Sequence, residues 1–288
     1  MTSIIIAAHN EGAVIGRCLD ALLADAAPGE FDVTVVANGC TDRTAAIAAA
    51  RPGVRVIELA EAGKPAALNT GDEAAQGFPR IYLDADVVLS TQGVRATCAA
   101  LDGPHLAATV HRELDLAGRP VLVRAYFGIH RHLPVFRDGL FGRGVIGLSE
   151  AGRGRFDRFP ALVADDLFLD SLFGAAEKWQ VESVSSRVAT PRRTRDLVRR
   201  LSRVRGGNAA MRAAADRGQV GATVRRAARL SWLRDVVLPR PWLAPAALCY
   251  VAITVLAALS ARGDRNGAAG WARDDSSRQE DPHARVER

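Results

Sequence analysis

Apolar positions in the first hundred residues fall into two alternating periodicities. Short apolar runs at Ile4 to Ala8, Phe31 to Ala37, Val54 to Leu59 and Arg80 to Leu83 predict strands. Between them, Glu11 to Leu23 places Val14, Cys18, Leu19 and Leu22 on one helical face. Asp42 to Ala50 and Pro65 to Ala75 predict two further helices. Strict strand–helix alternation predicts an α/β fold with a mostly parallel central sheet and helices on both faces. Further on, Leu106 to His111 reads as a strand, and Val121 to Leu133 and Leu167 to Ala176 as helices. Residues 139 to 156 are rich in Gly and Arg.

Trp242 to Ala261 is then free of charge for 20 residues. As a helix rising about 1.5 Å per residue it spans about 30 Å, the thickness of one bilayer core. It therefore reads as a transmembrane or membrane-embedded helix, with a buried helix of the main domain as the alternative. Residues 211 to 240 before it are basic, with Trp232 and Trp242 interleaved among Arg225, Arg226, Arg229, Arg234 and Arg240. That pattern predicts an interfacial segment. The last 27 residues mix Arg, acids, Gly and Ser and read as a disordered tail. The chain divides accordingly into 1–210, 211–240, 241–261 and 262–288.

Charge sharpens this division. From Arg187 to Arg240 there are 15 Arg against three acids, a net of +12 in a chain of formal charge +6. Basicity is thus regional, and it suits phosphate, anionic lipid or nucleic acid. No recognition module for nucleic acid accompanies it, so no specific nucleic-acid partner is expected. A basic nucleic-acid- or membrane-binding protein without transferase activity stays as the alternative from another class. Four scattered cysteines show no metal-ligand spacing and predict free thiols. Met1-Thr2-Ser3 leads into an apolar strand without a basic start, so no signal peptide is expected.

The chemistry concentrates at the predicted strand ends. Asp84-Ala85-Asp86 closes the fourth strand, putting two hard oxygen ligands at the carboxyl edge of the sheet. Ligands of open α/β sheets bind at that edge. Two carboxylates there suit Mg²⁺ or Mn²⁺, and the metal suits a diphosphate. His9-Asn10-Glu11, Asn38-Gly39-Cys40-Thr41-Asp42 and Gly63-Lys64-Pro65 converge on the same edge. Together they fit a metal-bound nucleotide. Taken singly, each has a plainer reading. Asn10 and Thr41 are possible helix caps, Gly39 a turn, and Lys64 a solvated helix start.

These motifs resemble those of family 2 glycosyltransferases with the GT-A fold, over about residues 2 to 210. Asn10-Glu11 is similar to the end of the family's first-strand motif, with Ala7 and His9 replacing its Pro and aromatic. Asn38 to Asp42 resembles the Asp-Gly-Ser-Thr-Asp motif, with Asn38 where a base-contacting Asp is common. Gly63 to Asn69 is similar to the Lys-containing helix start, and Asp84-Ala85-Asp86 matches Asp-x-Asp. Asp165-Asp166 resembles the family's acidic pair. The resemblance implies a membrane-associated inverting glycosyltransferase acting on a UDP-sugar. It implies nucleotide-sugar contacts from Ala8, Asn10, Glu11, Asn38, Asp42, Lys64, Asp84, Ala85 and Arg203. It implies a divalent metal, Mn²⁺ or Mg²⁺, on Asp84 and Asp86, and catalysis by Asp166, the general base, with Asp165.

Further expectations follow from the resemblance. The acceptor is a glycan or a lipid-linked molecule, at the inner leaflet and cytoplasmic face of the cell membrane. The work is that of cell-envelope polysaccharide synthesis. Arg200, Arg203 and Val204 stand where polymer-making relatives carry Gln-x-x-Arg-Trp. Only Arg203 matches, which leaves a single-transfer role open. Gly142, Gly144 and Gly147 suggest a loop that closes over the donor. A nucleotide-sugar pyrophosphorylase, the nearest enzymatic rival, would carry a Gly-rich, Arg-containing loop where this chain has His9 to Ala13.

Overall fold

The structure, a computed structural model, describes residues 1–162, 164–218, 224 and 230–263. Eight strands form one sheet: β1 (Thr2–Ala8), β2 (Phe31–Asn38), β3 (Val54–Leu59), β4 (Arg80–Leu83), β5 (Val87–Val88), β6 (Ala107–Asp115), β7 (Val145–Leu148) and β8 (Lys178–Ala189). Their order across the sheet is β3-β2-β1-β4-β7-β6-β8-β5. The first four strands run parallel. Beyond β4 the sheet is mixed: β7 is antiparallel to both β4 and β6, β6 and β8 are parallel, and β5 is antiparallel to β8. Single-sequence periodicity does not reveal β7, only four residues in the Gly/Arg-rich stretch, or β8, whose alternate positions are polar and exposed.

The helices are α1 (Ile15–Leu23), α2 (Thr44–Ala49), α3 (Lys64–Ala74), α4 (Thr91–Leu101), α5 (Val121–His130), α6 (Glu150–Arg153), α7 (Asp165–Ser171), α8 (Thr194–Asp216) and α9 (Ala244–Gly263). Strand alternation divides the core. Ile4 and Ile6 face one side with Cys18 and Leu19 of α1 and Val94 of α4. Ile5 and Tyr82 face the other, with Leu68 of α3, Leu167 to Leu169 of α7, and Met211 of α8. Helices on both faces explain why Ile4 to Ala8 of β1 reads as an unbroken apolar run.

Helix α8 is continuous from 194 to 216, and the expected boundary at 210 falls inside it. Helix α9 packs against α5 and α8, burying Ala247, Ile253 and Ala257. The expected interfacial Arg225, Arg226 and Arg229, and the tail from 264 on, lie outside the described residues.

One buried ion pair anchors α7. Lys178 Nζ, at the start of β8, meets Asp170 Oδ1 at 2.9 Å, and the Leu140 amide donates to the same oxygen at 2.9 Å. Both side chains are almost fully buried. Asp170→Ala leaves a buried ammonium without a counter-ion, so it is expected to cost about 3–5 kcal/mol of stability. Urea denaturation checks this; an unchanged midpoint would remove the anchoring role.

Candidate active site

Because β1, β2 and β4 are parallel neighbours, the loops after them emerge together. The loops after β1 and β2 are laced by hydrogen bonds. Asn10 takes a left-handed φ of 53°, and its Oδ1 accepts the Thr41 amide at 2.7 Å. Asp42 accepts the Gly12 amide at 2.9 Å and the Thr44 amide at 3.0 Å. Burial raises the Asp42 carboxyl, but the bonds from Thr44 and Gly12 outweigh it and hold it below the usual range. Asn38, 1% exposed, donates to the Ala8 carbonyl at 2.8 Å and accepts the Gly63 amide at 2.9 Å.

The amides and carboxylate of Asn10, Asn38 and Asp42 are thus largely committed to protein partners. Ala8 is wholly buried. None of these four residues lines the cleft that opens at the sheet edge, whereas Ala7, His9 and Glu11 do. The four shape the two loops, and the Asn10 Nδ2 is left without a hydrogen-bond partner. Their hydrogen bonds hold the two loops in shape beside the cleft.

The cleft has a volume of about 1240 Å³. At one end stand Lys64, Asp84, Asp86, Asp165 and Asp166. Lys64, the first residue of α3, reaches Asp84 Oδ1 at 2.8 Å and Asp165 Oδ2 at 2.9 Å. The chain's first lysine therefore bridges the Asp-x-Asp motif and the acidic pair, which are some 80 residues apart in sequence. Burial works against the Lys64 charge, but Asp165 and Asp84 outweigh it and lift its pKa well above the ordinary lysine value. Burial likewise opposes the Asp84 charge; Lys64, with help from Arg200, holds that carboxyl below its usual range.

Asp166 behaves oppositely. Its Oδ1 accepts the Leu167 amide at 2.7 Å and its Oδ2 the Gly142 amide at 3.0 Å. Burial first, then the neighbouring Asp165 charge, push its pKa up to about 6, against the pull of Lys64 and the Gly142 amide. A carboxylate so placed is ionised at neutral pH yet basic enough to take a proton.

Two glycines form the turn between these groups. Gly142 has φ 71° and Gly144 φ 69°, a region that favours glycine. The Gly144 carbonyl accepts the Asp84 amide at 2.8 Å. A Cβ on Gly144 would sit 2.3 Å from Val87 Cγ2 and 3.2 Å from Asp84 Oδ2, so only glycine leaves that carboxylate open. Gly147 does not belong to this turn, contrary to expectation. It lies within β7, where a Cβ would meet Thr97 at 2.7 Å, so its small size serves packing.

Asp84 and Asp86 are the carboxylates that could hold a divalent cation. Among the described residues no group of three or more His, Cys, Asp or Glu could hold one unaided. Two acids beside a spacious cleft suit a hard cation that takes its other ligands from water and a phosphate-bearing substrate. The residues therefore fit a diphosphate-bridging Mg²⁺ or Mn²⁺.

Helices α8 and α5 also line the cleft. Arg203, expected from the sequence, lines it; so do Arg200 and, from β6, Arg112. Sequence reasoning missed Arg112. Its one signal was a charged residue following four buried strand positions.

The cleft thus carries a carboxylate pair and a lysine at the strand ends, with a raised carboxylate beside them. Residues 3–137 match the family model described as glycosyl transferase family 2. No curated protein matches the chain. Among solved structures, the mannosyltransferase PcManGT from Pyrobaculum calidifontis, in complex with GDP-Man and Mn²⁺, is similar at 21% identity. The match has a TM-score of 0.57 and covers 93% of this chain and 80% of that one. TarS 1-349 of S. aureus in complex with UDP is similar at 14% identity and TM-score 0.52, covering 94% and 93%. Glucosyl-3-phosphoglycerate synthase from Mycobacterium tuberculosis, in complex with Mn²⁺, UDP and glucosyl-3-phosphoglycerate, gives 18% identity and TM-score 0.52, covering 77% and 81%. The fold is thus GT-A.

Proposed function

We propose that this chain transfers a sugar from a nucleotide-sugar, a UDP-sugar in our reading, to an acceptor hydroxyl by a single inverting displacement. The observation that carries the reading is that Asp166, raised to about 6, stands at the same end of one cleft as the Lys64–Asp84 ion pair. Each group then has one task. Asp166 accepts the hydroxyl proton as the oxygen attacks the anomeric carbon. Asp165 holds Lys64 and keeps the Asp166 carboxyl basic through its charge. Lys64 and Arg203 place positive charge where the leaving nucleoside diphosphate gathers negative charge. Asp84 and Asp86 hold a divalent cation, which when bound neutralises the diphosphate. Glu11 and His9, on the cleft wall, flank the nucleoside end of the donor, with Ala85 beneath the motif.

The departure at Arg200 and Val204 favours one transfer per encounter over polymer growth. Residues 1–218 act as the catalytic unit in this reading.

Membrane attachment belongs to the same proposal. Among the described residues one helix, Pro241–Ala261, is long and apolar enough to cross a membrane. Yet α9 packs along α5 and α8, and a helix docked on a polar domain does not cross a bilayer while that domain stays in water. Leu248, at 76% exposure, and Leu256 and Leu259 turn away from the protein. In our reading α9 lies in the interface with this face in lipid, on the cytoplasmic side of the membrane. Leu248→Ser, Leu256→Ser and Leu259→Ser together should move the protein from the membrane to the soluble fraction on flotation, with nucleotide binding retained. A triple variant still floating with vesicles would contradict the attachment.

The activity itself is tested by incubating the full chain with Mn²⁺ and a panel of UDP- and GDP-sugars and measuring nucleoside diphosphate release. Release from a UDP-sugar supports the reading. Release from GDP-sugars alone would overturn the donor assignment, and none from any would overturn the transferase.

A further inference from the structure

The middle of the cleft, between the carboxylates and α9, holds cations that the donor reaction does not fully employ. Arg112 Nη1 donates to the Gly142 carbonyl at 2.8 Å, and its guanidinium lies 4.6 Å over the Phe136 ring. Arg200 Nη1 donates to the Ala189 carbonyl at 3.4 Å. Among the described residues neither has a carboxylate partner. Burial first, then Arg143 and Arg200, push the Arg112 pKa down to about 10. Burial, Arg112 and Arg200 pull His130 well below the usual histidine range, so it stands neutral. Its Nδ1 is buried and has no hydrogen-bond partner. Mutually repelling guanidiniums beside an unused imidazole nitrogen describe a seat for an anion.

Position says which anion. Arg112 and Asp166 flank one residue: the Gly142 carbonyl takes Arg112 and the Gly142 amide serves Asp166. An anion on Arg112 is therefore held beside the base, on the acceptor's side. On the other flank the wall turns apolar. Tyr126 stacks on His130 at 5.3 Å and on Tyr250 of α9 at 5.1 Å. Val251 and Ala258 of α9 continue the same lining.

We propose that Arg112 and Arg200 seat the phosphate of an amphiphilic acceptor, whose apolar chain runs past Tyr126 and Tyr250 along α9. This rests on the transferase reading above. The phosphate is a handle and the nucleophile is a separate hydroxyl on the same head group. That hydroxyl oxygen forms the new bond to the anomeric carbon as the bond from that carbon to the diphosphate oxygen breaks. The electron pair leaves with the nucleoside diphosphate, and the proton goes to Asp166. A phosphate oxygen as nucleophile would need no base, and Asp166 would then have no task.

The test is calorimetric binding of octyl phosphate, below its micellar concentration, to the full chain. Glycerol 3-phosphate and octyl glucoside separate the charged and apolar contributions. Octyl phosphate should bind at least about tenfold more tightly than either. Arg112→Gln and Arg200→Gln should each weaken it by about tenfold or more, with Arg112→Lys retaining most of the affinity. UDP binding with Mn²⁺, titrated in parallel, should survive Arg112→Gln. Equal binding of glycerol 3-phosphate would overturn the amphiphile, pointing to a soluble phosphate. Octyl phosphate binding that ignores both substitutions, or equal loss of UDP affinity in Arg112→Gln, would overturn the seat. Failure of the wild type to bind UDP or GDP is a different result and falls on the transferase reading instead.

Discussion

Asp166→Asn is expected to abolish transfer, by about 10³–10⁴-fold, while leaving UDP affinity within a few-fold of wild type. The amide is isosteric, and its one oxygen can still accept the Gly142 amide, so the turn at Gly142 survives at the expense of the bond from the Leu167 amide. The capacity to take a proton is lost. Wild-type kcat/KM should rise about tenfold per pH unit below about 6 and level off above it, because the carboxyl must be ionised to act. The sign for stability is the reverse. A carboxyl whose pKa is raised by folding penalises the folded state above that pKa, and the penalty is relieved as pH falls through about 6. Asp166→Asn should therefore melt no lower than wild type at pH 8. A variant that lost activity together with stability would make Asp166 a structural residue. Retained turnover would sink the base assignment outright.

Lys64→Gln is expected to give the second largest loss, about 10²–10³-fold in turnover. Two causes act together. The variant removes the cation that faces the leaving diphosphate. It also leaves Asp84 and Asp165 without their shared partner, since Lys64 lies 2.8 Å and 2.9 Å from them. Lys64 lowers the Asp166 pKa, so its removal should move the acid limb of the pH profile above about 6. That upward shift separates an electrostatic role from a merely structural one. A flat loss of rate with the acid limb unmoved would contradict the bridge between the motifs.

Much of this was legible in the sequence. The strands β1 to β4 and the helices between them followed from apolar periodicity, because both faces of that part of the sheet are buried. Asp84, Asp86, Lys64, Asp165 and Asp166 were marked individually, and the structure places them at one end of one cleft. The ion pair that joins Asp84 to Asp165 through Lys64 was not legible, because it depends on how α3 and α7 meet. Asn10, Asn38 and Asp42 were marked by their motifs, but the hydrogen bonds by which they lace the two loops together were not legible, because these join residues some 30 positions apart. Arg112 was hidden for a similar reason: one arginine in a strand means little until Gly142, Phe136 and His130 are found around it. The strands β7 and β8 escaped because their sequences are short or amphipathic and interrupted by Gly and charge.

The most direct test of the central claim is calorimetric titration of the full chain with UDP, and with GDP for comparison, with and without Mn²⁺. The account predicts UDP binding that depends on Mn²⁺ and is lost in Asp84→Ala. UDP binding that is indifferent to both the metal and Asp84, or no binding of either nucleotide, would contradict it.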